Sequence, residues 1–229
     1  MITFQSIFDT PTVSEAKLNS IEQTPDGRLW RYLYATEAIS KYMVVSRPAN
    51  TTVTTVSSSQ NSKSQNVYIT EASAGWTPGA YQDHWILVNT GTGTGQAAKV
   101  KDNTADTLEL YEDYALATAL AVADSGIAIV HEPDAEKIAI TTEITEPRGV
   151  AQVAFASGDY GWFLKNGVGG VLGGAAITIN YSLTPGDDTE GTAITGTTAK
   201  GLMDESYIGR VLVANSAADV ACLAEINIL

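Results

Sequence analysis

Short runs of apolar residues recur along the chain and are separated by Gly, Pro, Asn and Asp. Residues 29–34 (LWRYLY) alternate as a half-buried strand does, and residues 85–88 (WILV) and 127–130 (IAIV) form short apolar runs. Turn signals follow at intervals of roughly 8–12 residues. This spacing is typical of sandwiches and barrels, so we predict an all-β fold of β-sandwich or barrel modules with little helix.

Four stretches carry further predictions about local structure. Residues 138–141 (IAIT) and 177–181 (ITINY) are predicted to be strands. Residues 167–174 hold five glycines, which predicts a backbone that is tightly bent or closely packed. The alanine and leucine content of residues 115–123 favours helix, whereas their length and flanking turns favour an irregular crossing, and both remain open.

The punctuation of the chain predicts three parts. Residues 1–27 form an extended N-terminal arm, because no pattern there is sustained before the turn at Pro25–Gly27. Residues 28–146 form a β domain, and residues 147–229 form a C-terminal β domain that begins where the composition changes. The sequence leaves open whether these last two parts are separate domains or one continuous barrel.

The charge is strongly acidic and unevenly placed. Thirteen basic against 26 acidic side chains give a net charge of −13, which disfavours nucleic acid as a partner. Residues 1–101 have a net charge of +1 and residues 102–229 one of −14. A near-neutral first part that lies on another protein would explain this split, but we favour the simpler interpretation that the charge keeps a surface rich in Thr and Gly in solution.

The N-terminus and the longest apolar runs predict no membrane partner. The start of the chain lacks the basic and apolar regions of a signal peptide. Every apolar run is far too short to span a bilayer. We therefore expect a protein that is made in the cytoplasm and stays outside membranes.

Few residues are candidates for chemistry. Cys222 is the only cysteine and lies in an apolar stretch, so we expect a buried, inert thiol. His84 and His131 are the only histidines, and no G-x-S-x-G motif accompanies them. Residues 91–96 (GTGTGQ) depart from the dinucleotide fingerprint at Gln96 and precede a strand pattern. We predict structural histidines, a β-loop at 91–96, no catalytic residue, no metal, no cofactor and no enzymatic activity.

Acidic and aromatic sets leave two alternatives open. The acidic clusters at 131–136, 187–190 and 204–205 offer oxygen ligands that Ca²⁺ prefers, but we predict solvated loops. Seven aromatic residues at strand or turn positions could form a sugar-binding shelf, but we predict that they lie in the core or at a subunit interface. They are Trp30, Tyr32, Tyr34, Trp76, Trp85, Tyr160 and Trp162.

Several short segments together resemble a known class of viral proteins. Residues 25–32 read PDGRLWRY, residues 93–96 (GTGQ) precede NTADTLEL at 103–110, and residues 148–162 run from RGVAQV to YGW. A last segment, residues 208–212 (IGRVL), completes the order. Over most of residues 25–229 the chain is similar to the head decoration (capsid cement) proteins of tailed bacteriophages. Typical members are shorter in the middle, which marks residues 51–66 as an insertion.

The resemblance implies a structural virion protein without catalytic residues. Such proteins are β-rich, often trimeric clamps that bind the major capsid protein on the capsid exterior and stabilise the shell against internal pressure. We expect the same partners here, namely the major capsid protein and two further copies in a homotrimer. Burying each exposed apolar side chain of the arm would contribute about 1.5–3 kcal/mol. The predicted contact residues are Ile2, Phe4, Ile7, Phe8, Trp30 and Tyr32.

Two other functions compete with capsid stabilisation. A tail or fibre component that binds a host receptor or glycan would expose aromatic residues around Trp76 and Tyr81 and would be present in few copies. A glycan hydrolase would use groups such as Asp83, His84 and Glu132.

Overall fold

The computed structural model describes residues 6–122, 124–137, 146–186, 190–195 and 207–228. The helical elements in these residues are two single 3-10 turns, Ser6–Phe8 and Glu112–Tyr114. The strands in the described residues are β1 Ile21–Gln23, β2 Leu29–Ala35, β3 Val44–Ser46, β4 Thr51–Val53, β5 Ser57–Gln60, β6 Asn66–Thr70, β7 Trp85–Thr90, β8 Ala97–Asn103, β9 Thr107–Leu110, β10 Gly126–Val130, β11 Asp134–Lys137, β12 Pro147–Ala151, β13 Tyr160–Leu172, β14 Ser182–Pro185, β15 Ala193–Thr195, β16 Gly209–Val213 and β17 Ala221–Asn227. The predicted all-β fold is confirmed.

The chain divides into two compact units, and the division differs from the predicted one. Unit 1 consists of Met1–Pro48 and Pro133–Leu229, and unit 2 is Ala49–Glu132. The predicted boundary at residue 146 falls inside unit 1, between β11 and β12. Both of these strands pair with β3. The change in composition at residue 147 therefore marks a new strand of the same sheet rather than a new domain.

A closed five-stranded barrel forms the centre of unit 1. Its strands follow the order β2, β11, β3, β12 and β13, and β13 pairs back onto β2. The β2–β11 pair is parallel and the other pairs are antiparallel. Buried side chains of the barrel strands pack in one cluster with Ile39 and Phe155: Leu33, Ala35, Val45, Ala135, Ala151 and Phe163. Within this cluster Phe155 stacks on Phe163, with ring centroids 4.4 Å apart.

Strand β13 belongs to two parts of unit 1. Its first half pairs with β2 in the barrel, and its second half pairs with β17, which continues into β16, β14 and β15. The glycine-rich residues 167–172 lie in this strand, and Gly174 lies in the bend that follows it. The alternative prediction of close packing is confirmed, because a Cβ atom on Gly170 would lie 2.4 Å from the ring of Tyr42.

Two further strand predictions have different outcomes. Residues 177–181 contain a turn in which Asn180 adopts a positive φ of 68°, so the predicted strand there is wrong. The positive φ interrupts the extended backbone that alternation requires. The strand predicted at 138–141 lies outside the described residues.

Unit 2 is built from one antiparallel sheet in the order β4, β10, β7, β8, β9, β6 and β5. Its two edge strands, β4 and β5, are separated in the chain only by residues 54–56, a link that spans at most about 14 Å. The sheet therefore curls around a core of its own. Residues 115–122 form an irregular crossing rather than a helix, and Leu116 and Leu120 of this segment are buried in that core.

Candidate functional site

The structure places the predicted contact residues of the arm in different environments. Ile7 is fully buried in the core cluster of unit 1, whereas Phe8 is 50% exposed. Ile2 and Phe4 lie outside the described residues. Of Ile7 and Phe8, the two predicted contact residues of the arm that the structure describes, only Phe8 exposes its side chain.

Trp30 and Tyr32 are also buried, so they act as core residues of unit 1 rather than as contact residues. Residues of the arm cover them: the backbone N–H of Asn19 donates to the Tyr32 carbonyl (2.7 Å), and that of Glu15 donates to the Tyr32 hydroxyl (3.0 Å). Burial raises the pKa of Tyr32. The sequence prediction that these aromatic residues lie in the core is confirmed, and their predicted role in capsid contact does not fit this arrangement.

Two of the segments that carry the resemblance meet in the barrel of unit 1. Tyr32 of the first segment lies opposite Trp162 of the third in the β2–β13 ladder, and their ring centroids are 4.9 Å apart. A Cβ atom on Gly161 would lie 2.3 Å from the ring of Phe155. The glycine of the YGW sequence therefore leaves space for a core ring.

The remaining long segment of the resemblance lies in unit 2, where its polar residues fix turns. The side chain of Asn103 donates to the carbonyl oxygen of Thr77 (2.9 Å) and accepts from the N–H of Tyr81 (2.8 Å). The side chain of Gln96 accepts from the N–H of Thr118 (2.9 Å) and so ties the glycine loop to the irregular crossing. These residues have structural roles, as the β-loop prediction expects.

Unit 1 exposes an apolar surface that the sequence analysis missed. Val213 and Leu223 lie directly opposite each other on β16 and β17, and Val168 lies on β13 opposite Glu225 on the same face. Their exposed fractions are 54%, 40% and 45%. We call Val168, Val213 and Leu223 the outer apolar face. The alternation in residues 222–227 (CLAEIN) was the available sequence signal, because Leu223 shares its strand face with Glu225 and Asn227, but only strand pairing brings the three residues together.

The two histidines form a buried aromatic group in unit 2. Their rings are nearly perpendicular with centroids 5.3 Å apart, and both contact the ring of Tyr81 edge-on. His84 Nδ1 lies 3.1 Å from the Gln82 carbonyl oxygen, and His131 Nε2 lies 2.8 Å from the Thr51 hydroxyl. Such packing is typical of structural histidines.

The other candidates for chemistry are also engaged in the fold. The carboxylate of Asp83 pairs with Lys99 and accepts from the hydroxyl of Tyr111. Cys222 is 4% exposed, and burial raises the pKa of its thiol, as expected for an inert cysteine. Asp134 begins β11 and is buried, so the predicted solvated loop at 131–136 is wrong at this residue. Residues 187–189 and 204–205 lie outside the described residues.

Charge is shared almost evenly between the two units. Unit 1 has 10 basic and 17 acidic side chains, a net charge of −7, and unit 2 has 3 and 9, a net charge of −6. The near-neutral first part of the sequence therefore does not correspond to one body.

No protein-family model matches the chain, and neither a curated protein nor a solved structure matches it. Among the described residues no helix is long and apolar enough to cross a membrane.

Proposed function

We propose that this protein is a capsid decoration protein, which binds the outer surface of a phage capsid and stabilises the shell against internal pressure. The observation that carries the proposal is the meeting of residues 25–32 and 148–162 in adjacent strands of the barrel. These segments are far apart in the chain, and turn and strand chemistry alone gives no reason for both to resemble one family. A shared barrel core gives such a reason.

The outer apolar face supplies a contact surface for the proposed role. These exposed valine and leucine side chains lie on neighbouring strands, and a partner that covers them lowers the free energy by removing apolar surface from water. The ion pair between Arg210 and Glu225 (3.3 Å) lies on the same face, so the apolar residues are bordered by charge. An apolar centre with a charged rim is the usual anatomy of a protein interface. Many such contacts over one shell, each weak, reinforce one another when the protein is a homotrimer.

Copy number in purified virions tests the proposal. Quantitative mass spectrometry of virions of the phage that encodes this chain should give a ratio to the major capsid protein near one or a simple fraction of it. A decoration protein follows the capsid lattice, and a trimer gives an integral occupancy per site. A few dozen copies would instead support a tail or fibre component, and absence from the virion would overturn the structural role.

A pair of variants tests the contact surface. Leu223→Asp places a charge in the outer apolar face and should lower occupancy on capsids that lack the protein at least about tenfold, which corresponds to a loss of about 1.4 kcal/mol per copy. Val122→Asp is the matched control, because Val122 is a 60% exposed valine in unit 2. Equal occupancy of the two variants would contradict this assignment of the contact surface.

A further inference from the structure

Unit 2 contains a pocket of about 540 Å³ beside its edge strand β4. One wall is the chain from Thr51 to Thr55, and the other wall comes from residues 71–77 and Tyr81. The volume lies in the range of about 300–1,000 Å³ that is usual for sites of small ligands. The lining residues all belong to unit 2, so the pocket is complete within one compact body.

Hydroxyl groups dominate the lining of this pocket. Six of its twelve lining residues carry an aliphatic hydroxyl, and Glu71 adds a carboxylate. A hydroxyl both donates and accepts hydrogen bonds, and a carboxylate accepts them, so the set matches a ligand that itself carries many hydroxyl groups. The six residues are Thr51, Thr52, Thr54, Thr55, Ser73 and Thr77.

Hydrogen bonds hold two of these polar groups in place. The hydroxyl of Thr51 lies 2.8 Å from Nε2 of His131, and the hydroxyl of Thr55 donates to Oε2 of Glu71 (3.1 Å). Groups that are positioned before binding lose little conformational freedom when the ligand arrives. The buried His131 therefore positions the hydroxyl of Thr51 at this site.

The half-buried Tyr81 adds an apolar surface to the pocket, and Trp76, which is only 7% exposed, supports it from the core. The rings of Trp76 and Tyr81 meet edge-on with centroids 6.0 Å apart, and both residues line the pocket. The backbone of this wall is fixed, because the N–H of Trp76 donates to the carbonyl of Ala105 (2.9 Å). A pocket with an aromatic surface and convergent polar groups is the usual form of a small-molecule site.

Thr55 in the same wall has a strained backbone. Thr55 has φ 63°, in the left-handed region that β-branched residues rarely adopt. Its hydroxyl lies 2.5 Å from the Thr54 carbonyl oxygen and 3.1 Å from Oε2 of Glu71, so its single proton is shared between these two acceptors and holds this conformation. Strained residues of this kind concentrate at ligand sites.

Charge and strand length narrow the class of ligand. Unit 2 carries a net charge of −6 and the pocket contains Glu71, which disfavours an anionic ligand. The edge strand β4 has only three residues and is followed by the left-handed Thr55, so it offers little length for an added peptide strand. We propose that this pocket binds a neutral saccharide unit, whose hydroxyls bond to Glu71 and the threonines and whose C–H face contacts Tyr81. The inference does not depend on the proposed role at the capsid.

Titration of the full-length protein tests this site. The probes are the methyl glycosides of glucose, galactose, mannose and N-acetylglucosamine, added to ¹⁵N-labelled protein up to about 50 mM. A ligand of monosaccharide size in an open pocket binds with a dissociation constant on the order of 1 mM, so this range should reach saturation. At least one probe should shift the amide signals of Thr52, Gly75 and Trp76 in a saturable way. Absence of saturable shifts at these residues with all four probes would overturn the proposal.

Matched variants separate the pocket from the rest of the surface. Glu71→Gln keeps the side-chain shape and should raise the dissociation constant at least about tenfold, because bonds to a charged acceptor are the stronger ones. Thr52→Val keeps the β-branched shape of an exposed residue and should raise it roughly threefold. Thr118→Val, at an exposed threonine of unit 2 outside the pocket, is the control and should leave it unchanged. Equal affinity in all three variants would also overturn the proposal.

Discussion

The sheets of the two units differ in how far apart in the sequence their paired strands lie. In unit 1, β2 completes the barrel by pairing with β11 and β13, and these two strands come after unit 2 in the sequence. In unit 2, three of the six neighbouring pairs join strands that follow one another in sequence, namely β5–β6, β7–β8 and β8–β9. Unit 1 therefore depends on contacts between two separated segments, whereas all pairs of unit 2 form within one continuous segment.

Unit 2 is inserted in the sequence between the two segments of unit 1, and strand pairing next to the insertion points explains how both units can form. Within unit 2 the first and last strands pair, with Thr51 opposite Ile129. Within unit 1, β3 and β11 pair as the chain leaves and returns, with Ser46 opposite Glu136. In each unit the strands on either side of the boundary thus pair with each other, so we expect two separate cooperative units.

Truncation of the barrel core should have the largest effect on this comparison. Phe163→Ala removes a fully buried ring from the barrel and should lower the free energy of unfolding of unit 1 by about 3–5 kcal/mol. Hydrogen exchange followed by mass spectrometry should show faster exchange in unit 1 and unchanged protection in β6 to β9.

Leu108→Ala is the reciprocal variant, because Leu108 is fully buried in the core of unit 2. It should destabilise unit 2 by about 2–5 kcal/mol and leave β2, β12 and β13 protected. If either variant accelerated exchange equally in both units, the chain would unfold as one body and the comparison would fail.

Local patterns predicted the fold class well because strand chemistry is local. The alternation at residues 29–34 and the apolar run at 85–88 correspond to β2 and β7, and the turn residues near them carry positive φ at Gly27 and Gly91. The unit boundaries could not be predicted in this way. They depend on the pairing of β3 with β11, which leaves no local signal in either segment.

The candidate surfaces were less predictable than the strands. Ile7 is apolar and near the N-terminus, which favours an exposed docking arm, but the chain's own barrel offers it a buried position. The outer apolar face and the threonine-lined pocket each combine residues from several strands or loops. The threonines at residues 51–55 indicated β propensity in the sequence. They form a concave site only together with the opposing segment 71–77, which the sequence did not place beside them.

Among the described residues, Tyr42 of unit 1 and Thr55 of unit 2 have a positive φ despite an aromatic or β-branched side chain, and the same substitution should affect the two in opposite directions. Thr55→Asn introduces a residue that tolerates the left-handed region, so it should stabilise unit 2 by about 0.5–1 kcal/mol. Tyr42→Asn removes the same kind of strain at φ 73° but also removes the ring that packs on Gly170. It should destabilise unit 1 by about 1–2 kcal/mol. Thermal unfolding with exchange readout for each unit measures both, and a loss of stability in Thr55→Asn would show that the hydroxyl of Thr55 stabilises unit 2 by more than the positive φ costs.

The smallest expected effect concerns one exposed carboxylate in each unit. In unit 1, the Thr24 hydroxyl and then the Arg28 guanidinium lower the pKa of Asp26 below its usual 3.8. In unit 2, the backbone N–H of Thr92, then the hydroxyls of Ser125 and Thr92, lower the pKa of Asp124. Because both carboxyls bind protons less readily in the folded state, their stabilisation is complete above about pH 3.8 and is lost as the pH falls through the lowered pKa values.

Salt should separate these two carboxylates, because only Asp26 is paired with a cation. Arg28 Nε lies 2.6 Å from Asp26 Oδ2, whereas Asp124 is bonded to neutral donors, with the Thr92 hydroxyl at 3.1 Å. At about 1 M salt the screening length is only about 3 Å, so the pKa of Asp26 should rise toward its usual value while that of Asp124 changes less. Carboxyl ¹³C titration at low and high salt measures both. An equal rise at the two residues would mean that long-range charge, rather than the local bonds, lowers the pKa of Asp124.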